Sequence, residues 1–144
     1  MPAGRLAGVD FGSRRIGLAW SDPEGLFASP LTTVPGAPSL DECAAAVVQA
    51  VADCDIAGFV VGLPLYMDGE EGPQAAISRR FAESLATLSL RPVCLWDERL
   101  SSCAAEAAMR SADLTRSQRK GRIDRVAAQV ILQTFIERYP RPRT

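Results

Sequence analysis

The chain contains no histidine. That absence excludes Ser-His-Asp triads, Cys-His nucleophiles and histidine-ligated zinc, so any polar chemistry must come from carboxylates, Arg, Lys, Tyr or thiols. Lysine is nearly missing as well, with Lys120 alone against fifteen arginines. Long apolar runs are missing too. The longest, Ile56 to Leu65, is broken by Gly58, Gly62 and Pro64 and is far too short to cross a bilayer. No apolar stretch of the secretory kind precedes the strand-like segment around Asp10, so the expectation is a cytoplasmic protein with no membrane partner. Cysteines are few. Cys43, Cys54, Cys94 and Cys103 sit in apolar surroundings at spacings that match neither C-x-x-C nor a zinc-ligand pattern, and they read as reduced core residues.

What remains is an ordinary globular composition. The 144 residues suit one domain, residues 1–144, with room for a real core. The net charge of −1 conceals a division: residues 110–144 carry nine basic and three acidic side chains, hence +6, leaving −7 on residues 1–109. A basic C-terminal region on an acidic body points to a localised anionic partner, although arginine-rich composition accounts for part of it.

Hydrophobic patterning sets out the elements. Leu6–Phe11 and Ile16–Trp20 read as strands joined in a hairpin across Gly12-Ser-Arg-Arg15, and Ser29–Val34 as a third strand. Ser39 or Asp41 can cap a helix running to about Ala52, on which Ala44, Val47, Val48 and Val51 recur at helical spacing. Ile56–Gly62 is the near-continuous apolar run of a strand covered on both faces. A loop over Pro64–Pro73, a helix over Gln74–Leu88 and a fifth strand over Val93–Glu98 follow. An Ala-rich helix from Ser101 or Ser102 to about Arg110, a polar stretch Ser111–Gly121 and a last helix from about Arg122 to Tyr139 complete the chain. An antiparallel hairpin followed by alternating helices and strands predicts an α/β fold: a mixed five-stranded sheet with helices on both faces.

Strand alternation decides which acids can meet. Gly8 and Asp10 share one face of the first strand. In the fifth strand Cys94, Trp96 and Glu98 share one face, with Val93, Leu95 and Asp97 on the other, and periodicity alone does not say which of Asp97 and Glu98 turns toward Asp10. A carboxylate at the end of a mostly apolar strand is costly unless paired or bound to metal, although Asp10 can equally cap the turn toward Arg14 and Arg15. Asp124 fits a helix N-terminus, where free N–H groups favour acids, yet helical spacing also aligns it with Ala127, Ala128, Ile131 and Phe135 on a sheet-facing stripe. Without histidine, a site of hard oxygen ligands is the metal site this chain can build, and such a site suits Mg²⁺ or Mn²⁺.

Four blocks carry a resemblance: Gly8-Val-Asp-Phe-Gly-Ser-Arg-Arg-Ile-Gly-Leu-Ala19, Val61-Gly-Leu-Pro-Leu-Tyr-Met-Asp-Gly69, Asp97-Glu-Arg-Leu-Ser-Ser102 and Lys120-Gly-Arg-Ile-Asp-Arg-Val-Ala-Ala128. In this order, over nearly the whole chain, they resemble the YqgF/RuvX family of Holliday-junction resolvases. Departures are mild: Arg14 stands where lysine is common, and Ser101-Ser102 where threonine often occurs. The resemblance implies an RNase H-like fold and assigns catalysis and metal binding to Asp10, Glu98 and Asp124, leaving Asp97 a supporting role.

It also implies two divalent ions, Mg²⁺ or Mn²⁺, across a scissile phosphate, with hydrolysis leaving a 5′ phosphate and a 3′ hydroxyl. Arg116, Arg119, Lys120 and Arg122 are candidates for binding the nucleic-acid backbone beside Asp124, with Arg14, Arg15 and Arg99 further candidates; for each, a solvated surface charge is the plain alternative. The expected substrate is four-way junction DNA. The alternative is the 5′ end of small-subunit ribosomal RNA precursor, since the family is linked to both. Two symmetric cuts in a junction require a homodimer, and end-trimming does not. A nucleotide-binding domain of the actin-like ATPase class shares an Asp-x-Gly turn but closes two such domains around ATP. A nucleic-acid-binding module that lost catalysis would have little need of all three acids.

Overall fold

The computed structural model describes residues 1–98 and 116–140, with only the backbone path given for 116–121. Strands β1 (Arg5–Phe11), β2 (Arg15–Ser21) and β3 (Ala28–Pro35) come first, then helix α1 (Leu40–Ala50) and strand β4 (Ile56–Leu63). Helix α2 (Pro73–Ser89), strand β5 (Val93–Asp97) and helix α3 (Arg116–Arg138) follow. The five strands form one mixed sheet in the order β3-β2-β1-β4-β5. β1/β2 and β2/β3 are antiparallel, whereas β1/β4 and β4/β5 are parallel.

Each face of the sheet has its own apolar layer. Ala7, Val9, Ile16, Leu18, Phe59 and Val61 point to one side and pack on Cys43, Ala44 and Val47 of α1 and on Phe81, Ala82 and Leu85 of α2. Phe11 stacks on Phe81 with ring centroids 4.4 Å apart. The alternate residues Leu6 and Val60, with Cys94 and Trp96, point to the other side and meet Ile131, Leu132, Phe135 and Ile136 of α3. Burial of each large side chain in these layers contributes about 1.5–3 kcal/mol. Trp96 is fixed further by its indole N–H, which donates to Thr134 Oγ1 at 2.9 Å. α3 also reaches β3: the Ala28 N–H donates to Gln133 Oε1 at 2.8 Å, and Gln129 Nε2 donates to the Ala28 carbonyl at 3.1 Å.

Local chemistry explains the helix ends. Ser39 forms a capping box, accepting from the Glu42 N–H while the Ser39 N–H donates to Glu42 Oε2. Pro73 opens α2 where no N–H is needed, and Leu90 closes it in the left-handed region at φ 57°. The expected loop over 64–73 contains a small turn, with Leu65 bridged to Glu71 and the Tyr66 N–H donating to the Glu70 carbonyl at 2.9 Å. Cys43, Cys54 and Cys94 are free thiols as expected, but only Cys43 is a buried core residue; Cys54 and Cys94 are half-buried at the edges of the apolar layers.

One element begins earlier than its pattern predicts. The polar stretch expected to end at Gly121 is helical from Arg116, so α3 starts about two turns before Arg122. Arg, Gln and Lys are good helix formers, and the roughly 1 kcal/mol cost of Gly121 does not break a helix anchored on the sheet further along. β5 stops one residue short of its predicted end, leaving Glu98 just past the ladder. The helix expected over Ser101–Arg110, Arg99 and Cys103 lie outside the described residues.

Candidate active site

Because β1, β4 and β5 run parallel, their carboxyl ends open on one edge of the sheet, where α/β folds commonly place ligands. Asp10 is the penultimate residue of β1, and Glu98 follows the last residue of β5. Leu6, Gly8 and Asp10 alternate onto the face covered by α3, as do Val60 and Gly62 of β4 and Cys94 and Trp96 of β5. Gly62 stands in the strand between the two acids. A Cβ at Gly62 would lie 2.6 Å from Ile131 Cδ1 and 3.3 Å from Glu98 Oε2, so the bare backbone leaves room for the carboxyls to reach across β4.

Asp10 and Glu98 are hydrogen-bonded to each other. Burial is the main cause that lifts Asp10 from its ordinary 3.8 to about 8, reinforced by repulsion from Glu98, the shared hydrogen bond and the charge of Asp124. Glu98 is also raised, first by burial and then by the neighbouring charge of Asp97, while the hydrogen bond from Asp10 acts in the opposite direction. At neutral pH the pair therefore holds one proton, with Asp10 donating to the Glu98 carboxylate.

The third acid is brought in by α3. Gly17 of β2 lies opposite Asp10 in the antiparallel ladder. A Cβ on Gly17 would overlap the Asp124 carbonyl oxygen and come within 2.9 Å of Asp124 Cβ, and one on Gly8 would lie 2.6 Å from the Ala128 carbonyl oxygen. These gaps in side-chain cover let the α3 backbone rest on the sheet, close enough for Asp10 to feel the charge of Asp124. Since α3 begins at Arg116, Asp124 is interior to the helix, and the free N–H groups of a helix start do not explain its position. Its Oδ2 instead accepts from Arg15 Nε at 2.7 Å, with side chains 17% and 38% exposed respectively. Among the described residues no three His, Cys, Asp or Glu side chains are grouped to hold one metal ion as they stand.

Of the basic candidates, Arg14 and Arg122 are exposed. The Arg14 carbonyl accepts from the Gly36 N–H at 2.8 Å, tying the β1–β2 turn to the end of β3. Arg125 donates to Thr33 Oγ1 at 3.3 Å. Arg99 and the side chains of Arg116, Arg119 and Lys120 lie outside the described residues. Sequence patterning passes over Gly17 and Gly62, which shape the floor of the site, and over the pairing of Arg15 with Asp124. An isolated glycine inside a strand pattern is the available sign of close backbone approach.

Comparison with known proteins adds the family. A protein of Thermus thermophilus, RuvC in complex with Holliday junction substrate, superposes with a TM-score of 0.56, covering 95% of this chain and 96% of that chain, at 18% identity. That likeness establishes a RuvC-like RNase H fold. A Rhodobacter capsulatus protein is 48% identical over 136 residues, covering 94% of this chain and 84% of its own length. One from Chloroflexus aggregans is 45% identical over 132 residues, covering 92% of each. Both carry the name "Putative pre-16S rRNA nuclease". The RuvX profile, described as Holliday junction resolvase, matches residues 4–138, and the chain belongs to the RuvX family.

Proposed function

We propose that this protein is a divalent-metal-dependent nuclease that hydrolyses phosphodiester bonds in the precursor of small-subunit ribosomal RNA. Asp10, Glu98 and Asp124 would hold Mg²⁺ or Mn²⁺. The observation that carries this reading is the Asp10–Glu98 pair, two largely buried carboxyls hydrogen-bonded to each other at the carboxyl edge of the parallel strands, with Asp124 near enough for its charge to act on Asp10. Carboxyls that burial and mutual repulsion push toward the protonated form fit a hard cation, and every donor is an oxygen. A bound divalent ion supplies Lewis acidity, which lowers the pKa of an attacking water and neutralises charge on the leaving oxygen. The protein's own part would be to carry Asp10 and Glu98 at the ends of β1 and β5, to bring Asp124 beside them on α3, and to offer arginines to the flanking phosphates. The names of relatives at 48% and 45% identity favour ribosomal RNA over the junction DNA that the motifs first suggest. Junction resolution is the second reading, favoured by the description of the family.

Purified protein should be incubated with Mg²⁺ or Mn²⁺ and a precursor ribosomal RNA leader, a four-way junction or a matched linear duplex. The expected result is cleavage of the RNA leader, lost in Asp10→Asn, Glu98→Gln and Asp124→Asn and milder in Asp97→Asn. Preferential cutting of the junction by a species that light scattering shows to be dimeric would select the resolvase reading. Cleavage that persists in all three variants would remove these acids from the active site.

A further inference from the structure

The ion pair between Arg15 and Asp124 has a consequence for how the site fills. Arg15 opens β2, and alternation puts it on the face of Gly17, the face that α3 covers. Its guanidinium is therefore directed at Asp124, and the Nε–Oδ2 distance of 2.7 Å is that of a charge-assisted hydrogen bond. Asp10 and Glu98 are meanwhile engaged with each other. Asp124, the carboxylate contributed by α3, is held by a cation of the chain itself.

We propose that Arg15 is a positioning residue that withholds Asp124 from divalent metal until a phosphate of the nucleic acid draws the guanidinium away. This inference rests on Asp124 being a metal ligand. The physical case has two parts. A metal ion binding at Asp124 must displace Arg15 or accept a positive charge next to it, so the ion pair opposes metal loading. Carboxylate and phosphate offer guanidinium the same paired oxygen acceptors, so Arg15 can exchange one for the other at little cost in hydrogen bonding. With 38% of the Arg15 side chain exposed, the guanidinium is open to such an exchange, while Asp124, 17% exposed, is held in place by its helix. Substrate phosphate and metal would then favour one another's binding, as linkage requires.

Mn²⁺ titration by calorimetry at pH 8 and constant ionic strength tests this without reference to turnover. The proteins are the wild type, Arg15→Gln, Arg15→Lys, Asp124→Asn and the Arg15→Gln/Asp124→Asn double variant, each checked for folding by thermal melting. Arg15→Gln is expected to bind Mn²⁺ about five-fold more tightly than wild type, the scale of a partly exposed ion pair. Arg15→Lys, which keeps the competing charge, should stay within about two-fold of wild type on the same scale. The gain should vanish in the double variant. If Asp124→Asn weakens binding but Arg15→Gln weakens it too or leaves it unchanged, Asp124 is a ligand and Arg15 orients it, which overturns the proposal. If Asp124→Asn binds Mn²⁺ as the wild type does, Asp124 is not a ligand, and both the proposal and the reading beneath it fail.

Discussion

Replacing Asp10 with Asn tests the shared-proton pair directly. The unfolded chain ionises Asp10 near its ordinary 3.8, whereas the metal-free folded protein holds the proton until about pH 8. Below pH 3.8 both states are protonated and the group leaves stability unaffected. Between these values the folded state binds the extra proton, so stability falls as pH rises, at up to about 1.4 kcal/mol per pH unit, and levels off above about pH 8. Carried across the whole interval, that slope has a ceiling of about 6 kcal/mol. Because the proton is shared with Glu98, a loss of about 2–4 kcal/mol is expected. Asn cannot ionise and can still donate an N–H to Glu98, so Asp10→Asn should escape this loss. Urea unfolding in EDTA at pH 5, 6.5 and 8.5 should show wild type and variant converging at the lowest pH and the variant ahead by about 2–4 kcal/mol at the highest. Mn²⁺ should then restore the wild type more than the variant. A constant difference between the two proteins across this range would refute the shared-proton account of the pair.

Other perturbations follow from the same geometry. Gly17→Ala drives a methyl group into the α3 backbone at Asp124, and should cost about 3 kcal/mol in urea unfolding and displace the third acid; a change under about 0.5 kcal/mol would show that α3 yields freely. Leu90→Gly relieves a left-handed residue at φ 57° whose side chain is 86% exposed, and should raise stability by about 0.5–1 kcal/mol, read as a higher Tm. Exchanging Arg116, Arg119 and Lys120 together for Ala preserves the helix while removing three positive charges. The slope of log K against log salt for RNA binding should then flatten by about 2, and an unchanged slope would make these residues solvated surface alone.

The sequence by itself determined much of the frame. Short apolar runs bounded by turn residues mark β1, β2 and β4, helical spacing marks α1 and α2, and Ser39 caps α1 where the pattern places its start. These features depend on neighbours two to four residues apart, which a linear reading captures. The missing histidine, together with cysteines at no metal-ligand spacing, likewise points the candidate site toward oxygen donors. Periodicity shows that Asp97 and Glu98 face opposite ways, but the side turned toward Asp10 follows from how β5 pairs with β4, where Gly62 is level with Trp96. The early start of α3 was not legible, because anchoring on the sheet by Ile131, Leu132 and Phe135 outweighs the weak local preference around Gly121. Least legible of all was the link between Arg15 and Asp124, 109 residues apart. Only tertiary structure decided it, since it requires α3 to lie on the bare backbone of Gly17, and no local spacing encodes which glycine a distant helix will cover.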